Sequence, residues 1–149
     1  MATVNLLPNA NVPTVVNDWS LSTGSDVYAL IDDDHTGTVA TDSSYLSSTS
    51  AGSTCTVELQ DFSESHSAIN SITLVTKAGN NGRGASFTLE TKLTSPSGDY
   101  YTESSGSQAA HRNYRTQTYT TRTTHDGSNA WTNVLLNSLR VRVDLDAHS

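Results

Sequence analysis

Residues 139–146 read Leu139, Arg140, Val141, Arg142, Val143, Asp144, Leu145, Asp146. Apolar and charged side chains alternate here without a break. Successive side chains of an extended strand point to opposite faces. Leu139, Val141, Val143 and Leu145 therefore form a dry face, and the four charged residues form a wet one. The residues just before, 129–138, follow another rule. Val134, Leu135, Leu136 and Leu139 fall at short helical spacing, and Thr132 is placed to cap the first turn. The stretch 129–146 thus predicts a short helix near 132–138 that feeds a final amphipathic strand, with Trp131 plugging the end of the core.

Working outward, the same period of two recurs. Cys55, Val57 and Leu59 alternate with Thr54, Thr56, Glu58 and Gln60. Ile69, Ile72 and Leu74 anchor a strand running to about Ala78, and the glycine-rich run 79–84 then turns the chain. Beyond it Ala85, Phe87, Leu89, Thr91 and Leu93 alternate with Ser86, Thr88, Glu90 and Lys92, which predicts a hairpin across 79–84. Pro96, Ser97, Gly98 and Asp99 mark the next turn. Val27–Ile31 reads as a short apolar strand, and Tyr45 with Leu46 as a brief strand or bridge. Pro8 and Pro13 make residues 1–13 an extended arm rather than a helix. The expectation is an all-β chain, an antiparallel β-sandwich of jelly-roll or Greek-key type with about eight strands and one short helix. Residues 14–149 form its single domain.

The chain has 149 residues, of which 34% are hydrophobic and 15% charged, with abundant Ser and Thr. That is long enough to bury a core, and Thr suits strands while Ser, Gly and Asn suit turns. A net charge of −7 argues against nucleic-acid binding. No apolar run approaches the roughly 18 residues of a membrane-spanning helix. Residues 1–15 lack a basic start before an apolar core, so no signal peptide is expected. Cys55 is the one cysteine, so no intrachain disulfide can form, and synthesis in a reducing cytoplasm is expected. The charge is segregated along the chain. Residues 1–76 carry nine acids and no Lys or Arg, and all eight basic residues lie from Lys77 onward. Either the strands mix these charges in space, or an acidic and a basic surface meet between copies or on a partner.

Segment 99–124 departs from the pattern. Within 111–124 one alternate set is Arg112, Tyr114, Thr116, Thr118, Thr120, Arg122, and the other is His111, Asn113, Arg115, Gln117, Tyr119, Thr121. Neither set is apolar, whereas a strand buried on one side shows a dry face. The segment is either an ordinary edge strand with half-buried Tyr and Thr, or a projecting ribbon that meets another chain. On the second reading the contact candidates are Arg112, Tyr114, Arg115, Tyr119 and Arg122. Arg140 and Arg142, on the wet face of the final strand, join them.

Catalytic patterns are missing from the sequence. Asp32, Asp34, Thr36 and Gly37 resemble the front of a calcium loop, but Ser43 stands where the closing Glu belongs. Asp32, Asp34 and Asp42 remain candidates for a calcium site outside an EF-hand, against a solvated acidic turn. His35, His66, His111, His125 and His148 lack paired zinc spacing and read as surface residues. Cys55 reads as a buried structural thiol. No Ser sits in a nucleophile elbow, and Glu58, Asp61 and Glu64 have no support as a glycosidase pair. No cofactor and no enzymatic activity are expected. Trp19, Trp131 and several Tyr leave a sugar-stacking surface open, although Trp131 fits the core better.

Several stretches together resemble the small β-sandwich proteins of tailed-bacteriophage virions, such as head decoration (cement) proteins and tail or fibre attachments. They are Tyr28–Asp34 followed by Asp42–Leu46, Cys55–Phe62 before Ile69–Ile72, and the closing Ala130, Trp131 and Thr132 with the short helix and last strand. The resemblance implies a non-enzymatic protein on the capsid surface, made in the host cytoplasm. It would bind the major capsid protein between subunits and assemble as a dimer or trimer, without nucleic-acid or membrane partners. The alternative is a carbohydrate-binding or host-attachment module of a phage fibre or secreted protein. The chain departs from the resemblance in one place. A glycine is expected where helix meets last strand, and Ser138 and Leu139 stand there instead.

Overall fold

In the computed structural model, which describes residues 3–13, 17–31, 45–62, 68–79, 86–108 and 114–148, the alternating stretch lies at the middle of a five-stranded antiparallel sheet. The strands among the described residues are β1 (Pro8–Asn11), β2 (Ser20–Leu21), β3 (Leu46–Ser47), β4 (Thr54–Leu59), β5 (Val75–Ala78), β6 (Phe87–Ser95), β7 (Gly98–Ser104), β8 (Arg115–Thr118) and β9 (Arg140–His148). One short helix, α1, spans Asn133–Leu136. The main sheet has the order β1-β4-β9-β6-β7, and two-stranded ribbons β2-β3 and β5-β8 complete the fold. The all-β, antiparallel class with one short helix is as expected.

Register fixes which side chains share a face. Val57 faces Val141 and Val141 faces Leu93, Cys55 faces Val143 and Val143 faces Thr91, and Leu145 faces Leu89. Directly opposed residues point the same way, so these positions form one continuous dry face across β4, β9 and β6. Three groups cover it. Trp19 beside β2, Leu21 of β2, Leu46 of β3, and Val27 pack against Cys55 and Val57. Ala78 of β5 and Trp19 pack against Phe87, Leu89 and Leu145. Trp131, Leu136 and Leu139 pack with Leu93, flanked by Phe62, Ile69, Ile72, Tyr100 and Tyr101. Burial of Cys55 among these apolar groups pushes its thiol up to about 12. It is an inert core residue, as expected.

The helix follows the reading of 129–139 closely. Thr132 has extended backbone, and its hydroxyl accepts from the Leu135 N–H at 3.3 Å. Trp131 is buried, and its indole N–H donates to the Arg122 carbonyl at 3.1 Å, so its polar atom is satisfied. Leu136 and Leu139 are buried, whereas Val134 points outward at 80% exposure. A helix this short can turn only one side inward, and Val134 lies on the other. The missing glycine is accounted for as well. Asn137 closes the helix in the ordinary right-handed region (φ −74), and the Ser138 hydroxyl donates to the Leu135 carbonyl at 3.0 Å. No left-handed residue is required at this junction.

Four expectations change. Val27–Ile31 is not a strand: Tyr28–Leu30 is a 3₁₀ turn. Short apolar runs do not reveal their period. Here Val27 and Leu30, three apart, both face the core, and the Asn11 side chain accepts from the Tyr28 N–H at 3.2 Å in place of a ladder partner. The strand expected from Ile69 is shorter and begins at Val75, with Ile72 in an isolated bridge to Arg122. The hairpin across 79–84 does not form. β6 already has β7 on one side and β9 on the other, so β5 has no edge to join and pairs with β8 instead. Finally, the N-terminal arm contributes β1 to the main sheet, with Pro8 at its outer edge. Proline is tolerated there because an edge strand has ladder positions without partners.

Trp131 ties α1, the β7 aromatics and the Arg122 segment together. Trp131→Ala lowers unfolding stability by about 3–5 kcal/mol, and Thr132→Ala, which removes only the cap, by about 0.5–2 kcal/mol. Urea denaturation of the two variants checks the ranking. Equal, small losses would show that the core does not hinge on the indole.

Candidate contact surface

The ribbon β5-β8 carries most of the contact candidates. Val75, Thr76, Lys77 and Ala78 pair with Thr118, Gln117, Thr116 and Arg115. Pairing continues irregularly, with the Tyr119 N–H on the Leu74 carbonyl at 3.0 Å and the Arg122 N–H on the Ile72 carbonyl at 2.8 Å. Tyr119 is the anchor. It is buried, and its hydroxyl lies 3.1 Å from Thr91 Oγ1 and 3.2 Å from Thr76 Oγ1. Thr91 is fully buried on the dry face of β6. One tyrosine therefore suffices to pin a strand that otherwise has no dry face, because ring burial and a satisfied hydroxyl act at the same point. Tyr119 is thus corrected from contact candidate to core residue. Tyr114, Arg115, Thr116, Thr118 and Thr120 are exposed.

Arg122 is a clamp. Its Nε donates to Glu103 Oε1 at 3.1 Å, a terminal nitrogen donates to the same oxygen, and its guanidinium stacks 4.5 Å from the centre of the Tyr101 ring. The Tyr101 hydroxyl donates to the Thr124 carbonyl. His125, expected at the surface, is half-buried. It packs edge-on against Tyr100 at 5.8 Å and lies 5.9 Å from the Trp131 ring. The following turn is closed by Asp126, which accepts from the backbone of Ser128 at 2.9 Å and Asn129 at 2.7 Å, and from the Asn129 side chain at 2.7 Å. The Asn129 N–H first, then its side-chain amide and the Ser128 N–H, hold this carboxyl at about 2, below 3.8.

Arg140 and Arg142 lie on the wet face of β9, on the opposite side of the main sheet from Tyr119 and its ribbon. Arg140 pairs with Glu58 at 2.7 Å, and Arg142 with Asp144 at 2.7 Å. Lys92 bridges Glu90 at 2.8 Å and Asp144 at 3.4 Å. The hydrogen bond to Glu90 is the main reason the Lys92 ammonium is held above its ordinary range, against the opposing effect of burial. The Glu58–Arg140 pair joins the acidic first half of the sequence to the basic second half within a single chain. Part of the charge segregation along the sequence is therefore cancelled by folding.

The seven candidates do not form one patch. Tyr114 and Arg115 stay exposed at the start of β8, Tyr119 and Arg122 secure the ribbon, Arg140 and Arg142 sit on the far face, and Arg112 lies outside the described residues. So do Asp32, Asp34, Asp42, Glu64, His35, His66 and His111, and most of the 79–84 turn. Among the described residues no group of three His, Cys, Asp or Glu is placed to hold a metal ion. Sequence reasoning missed Glu103, Lys92 and Asp144 as partners. Lys92 and Asp144 alternate with inward-facing neighbours in the sequence, whereas Glu103 lies between Thr102 and Ser104 without such a pattern, and pairing any of them needed the register.

Tyr119→Phe leaves the Thr91 hydroxyl buried without its partner and lowers stability by about 1–3 kcal/mol, while Arg115→Ala stays within about 0.5 kcal/mol. Thermal or urea unfolding separates the two. For Asp126 the folded carboxyl titrates below the unfolded one, so its contribution is present above 3.8 and is lost as pH falls towards 2. In Asp126→Asn, the fall in stability across that window is shallower, as read by unfolding at a series of acid pH values. No protein-family model matches this chain, and neither a curated protein nor a solved structure matches it.

Proposed function

We propose that this chain is a non-enzymatic structural protein of a tailed-bacteriophage virion. Its place is the outer surface of the head, as a decoration protein that braces the shell by binding the major capsid protein between subunits. The observation that carries this reading is the β5-β8 ribbon. Its strand β8 presents polar side chains on both sides, is held to the core through Tyr119, and among the described residues has no strand on its outer edge. Such an edge is a template for pairing with another chain, and a polar one avoids indiscriminate association. A shell repeats each contact many times, so modest affinity per site gives firm attachment overall. Assembly as a dimer or trimer suits the symmetry axes of a shell. A sandwich of jelly-roll or Greek-key type belongs to the same proposal, supported by the two ribbons laid over the dry face of the main sheet.

The carbohydrate-binding alternative asks for flat rings presented to solvent. Trp131 is buried, Trp19 packs against the core, and the exposed rings Tyr45 and Tyr114 adjoin different ribbons. That distribution favours the structural reading.

Purified heads of the virus that encodes this chain contain it at a fixed ratio to the major capsid protein, and heads stripped of it release DNA at lower temperature. Quantitative gel analysis of sedimented heads is the check. Heads that lack the protein would sink the proposal.

A further inference from the structure

The wet face of the main sheet has an order that the ribbon reading does not use. Its side chains fall into rows across the strands. One row holds Glu58, Arg140 and Thr94, the next Thr56, Arg142 and Lys92, and the next Thr54, Asp144 and Glu90. Asp146 follows on β9, exposed. The Glu58–Arg140 pair is neutral. Beyond it the face runs from a cationic band, Arg142 with Lys92, to an anionic band, Asp144 and Glu90 followed by Asp146. Bonds along the strands link the two bands; one member of each stays partly open, the side chain of Arg142 39% and that of Glu90 34% exposed, while Lys92 and Asp144 are largely covered at 19% and 12%.

We propose that this face is a homodimer surface on which two copies pack with their strands reversed, the cationic band of each lying over the anionic band of the other. The charge order selects the symmetry. A two-fold axis along the strands would set like bands over like. An axis across the strands, parallel to the sheet, reverses the order and brings Arg142 and Lys92 over the partner's carboxylates at both ends at once. The surface is self-complementary, so a second copy is the occupant it fits. Five strands spaced at about 4.8 Å, over some six residues of length, present roughly 500 Å² per copy, below the roughly 800 Å² of a standard interface, which makes a weak, salt-sensitive dimer. The inference concerns the main sheet alone and is independent of the assignment to a virion.

Charge-swap complementation tests it, using the full chain and sedimentation velocity at several concentrations. The unaltered protein forms a dimer at about 0.05 M salt that weakens at least about tenfold at about 0.5 M. Lys92→Glu sets a carboxylate over the partner's Glu90, and Glu90→Lys sets a cation over the partner's Lys92. Each alone weakens the homodimer by about tenfold or more, while an equimolar mixture of the two variants dimerises to within about threefold of the original. Circular dichroism confirms that both remain folded. A monomer at every concentration up to about 0.5 mM overturns the proposal. Variants that dimerise as before place the contact on another surface and overturn it equally. Two weakened variants that fail to rescue each other rule out the reversed packing.

Discussion

Strand β9 is hydrogen-bonded on both sides, to β4 and to β6, and its neighbours inherit their facing from it. A residue count of two sets which side chains enter the core. Once Val141 and Val143 point inward, Val57, Cys55, Leu93 and Thr91 must point inward with them. A slip of one residue would bury two arginines and an aspartate and expose three apolar side chains. The burial difference locks the register, and the covering groups are then placed by what remains to be covered. Trp131 closes one end, Trp19 with the 3₁₀ turn closes another, and the Tyr119 ring fits between.

The clearest alternations were legible in the sequence for the same reason. β4, β6 and β9 each carry the period of two over enough residues to identify them without a structure, and Thr132 announced its own cap. The hairpin across 79–84 was misjudged because local pattern identifies strands without naming their partners. Only the count of free edges excludes β5 from β6. Val27–Ile31 failed differently. Its apolar run is too short to show a period, and the deciding contact, from Asn11, lies far away in sequence.

The contact candidates show what polarity alone conceals. Tyr119 and Arg122 look alike in a polar ribbon, yet one is core and the other a clamp. Both roles come from residues elsewhere, Thr91 and Thr76 for the first, Glu103 and Tyr101 for the second. Tyr114 and Arg115 remain on the surface. Arg140 and Arg142 are partly neutralised by carboxylates of the same chain, and what the main sheet shows to solvent is a pattern of bands rather than one net charge. This pattern arises from the order of acids and bases on β6 and β9 combined with the ladder between them.

The position of β9 also bears on how the molecule reaches its fold. β9 follows every other strand among the described residues in chain order, yet it occupies the middle of the sheet, and its partner Cys55 lies far upstream of Val143. Until residues 139–148 are present, β4 and β6 each carry an open ladder edge with an apolar face. The central pairings must then close long loops, which slows folding and prolongs the life of those edges. During synthesis the earlier strands wait in a state prone to association, and chaperone capture in that interval would bear directly on yield.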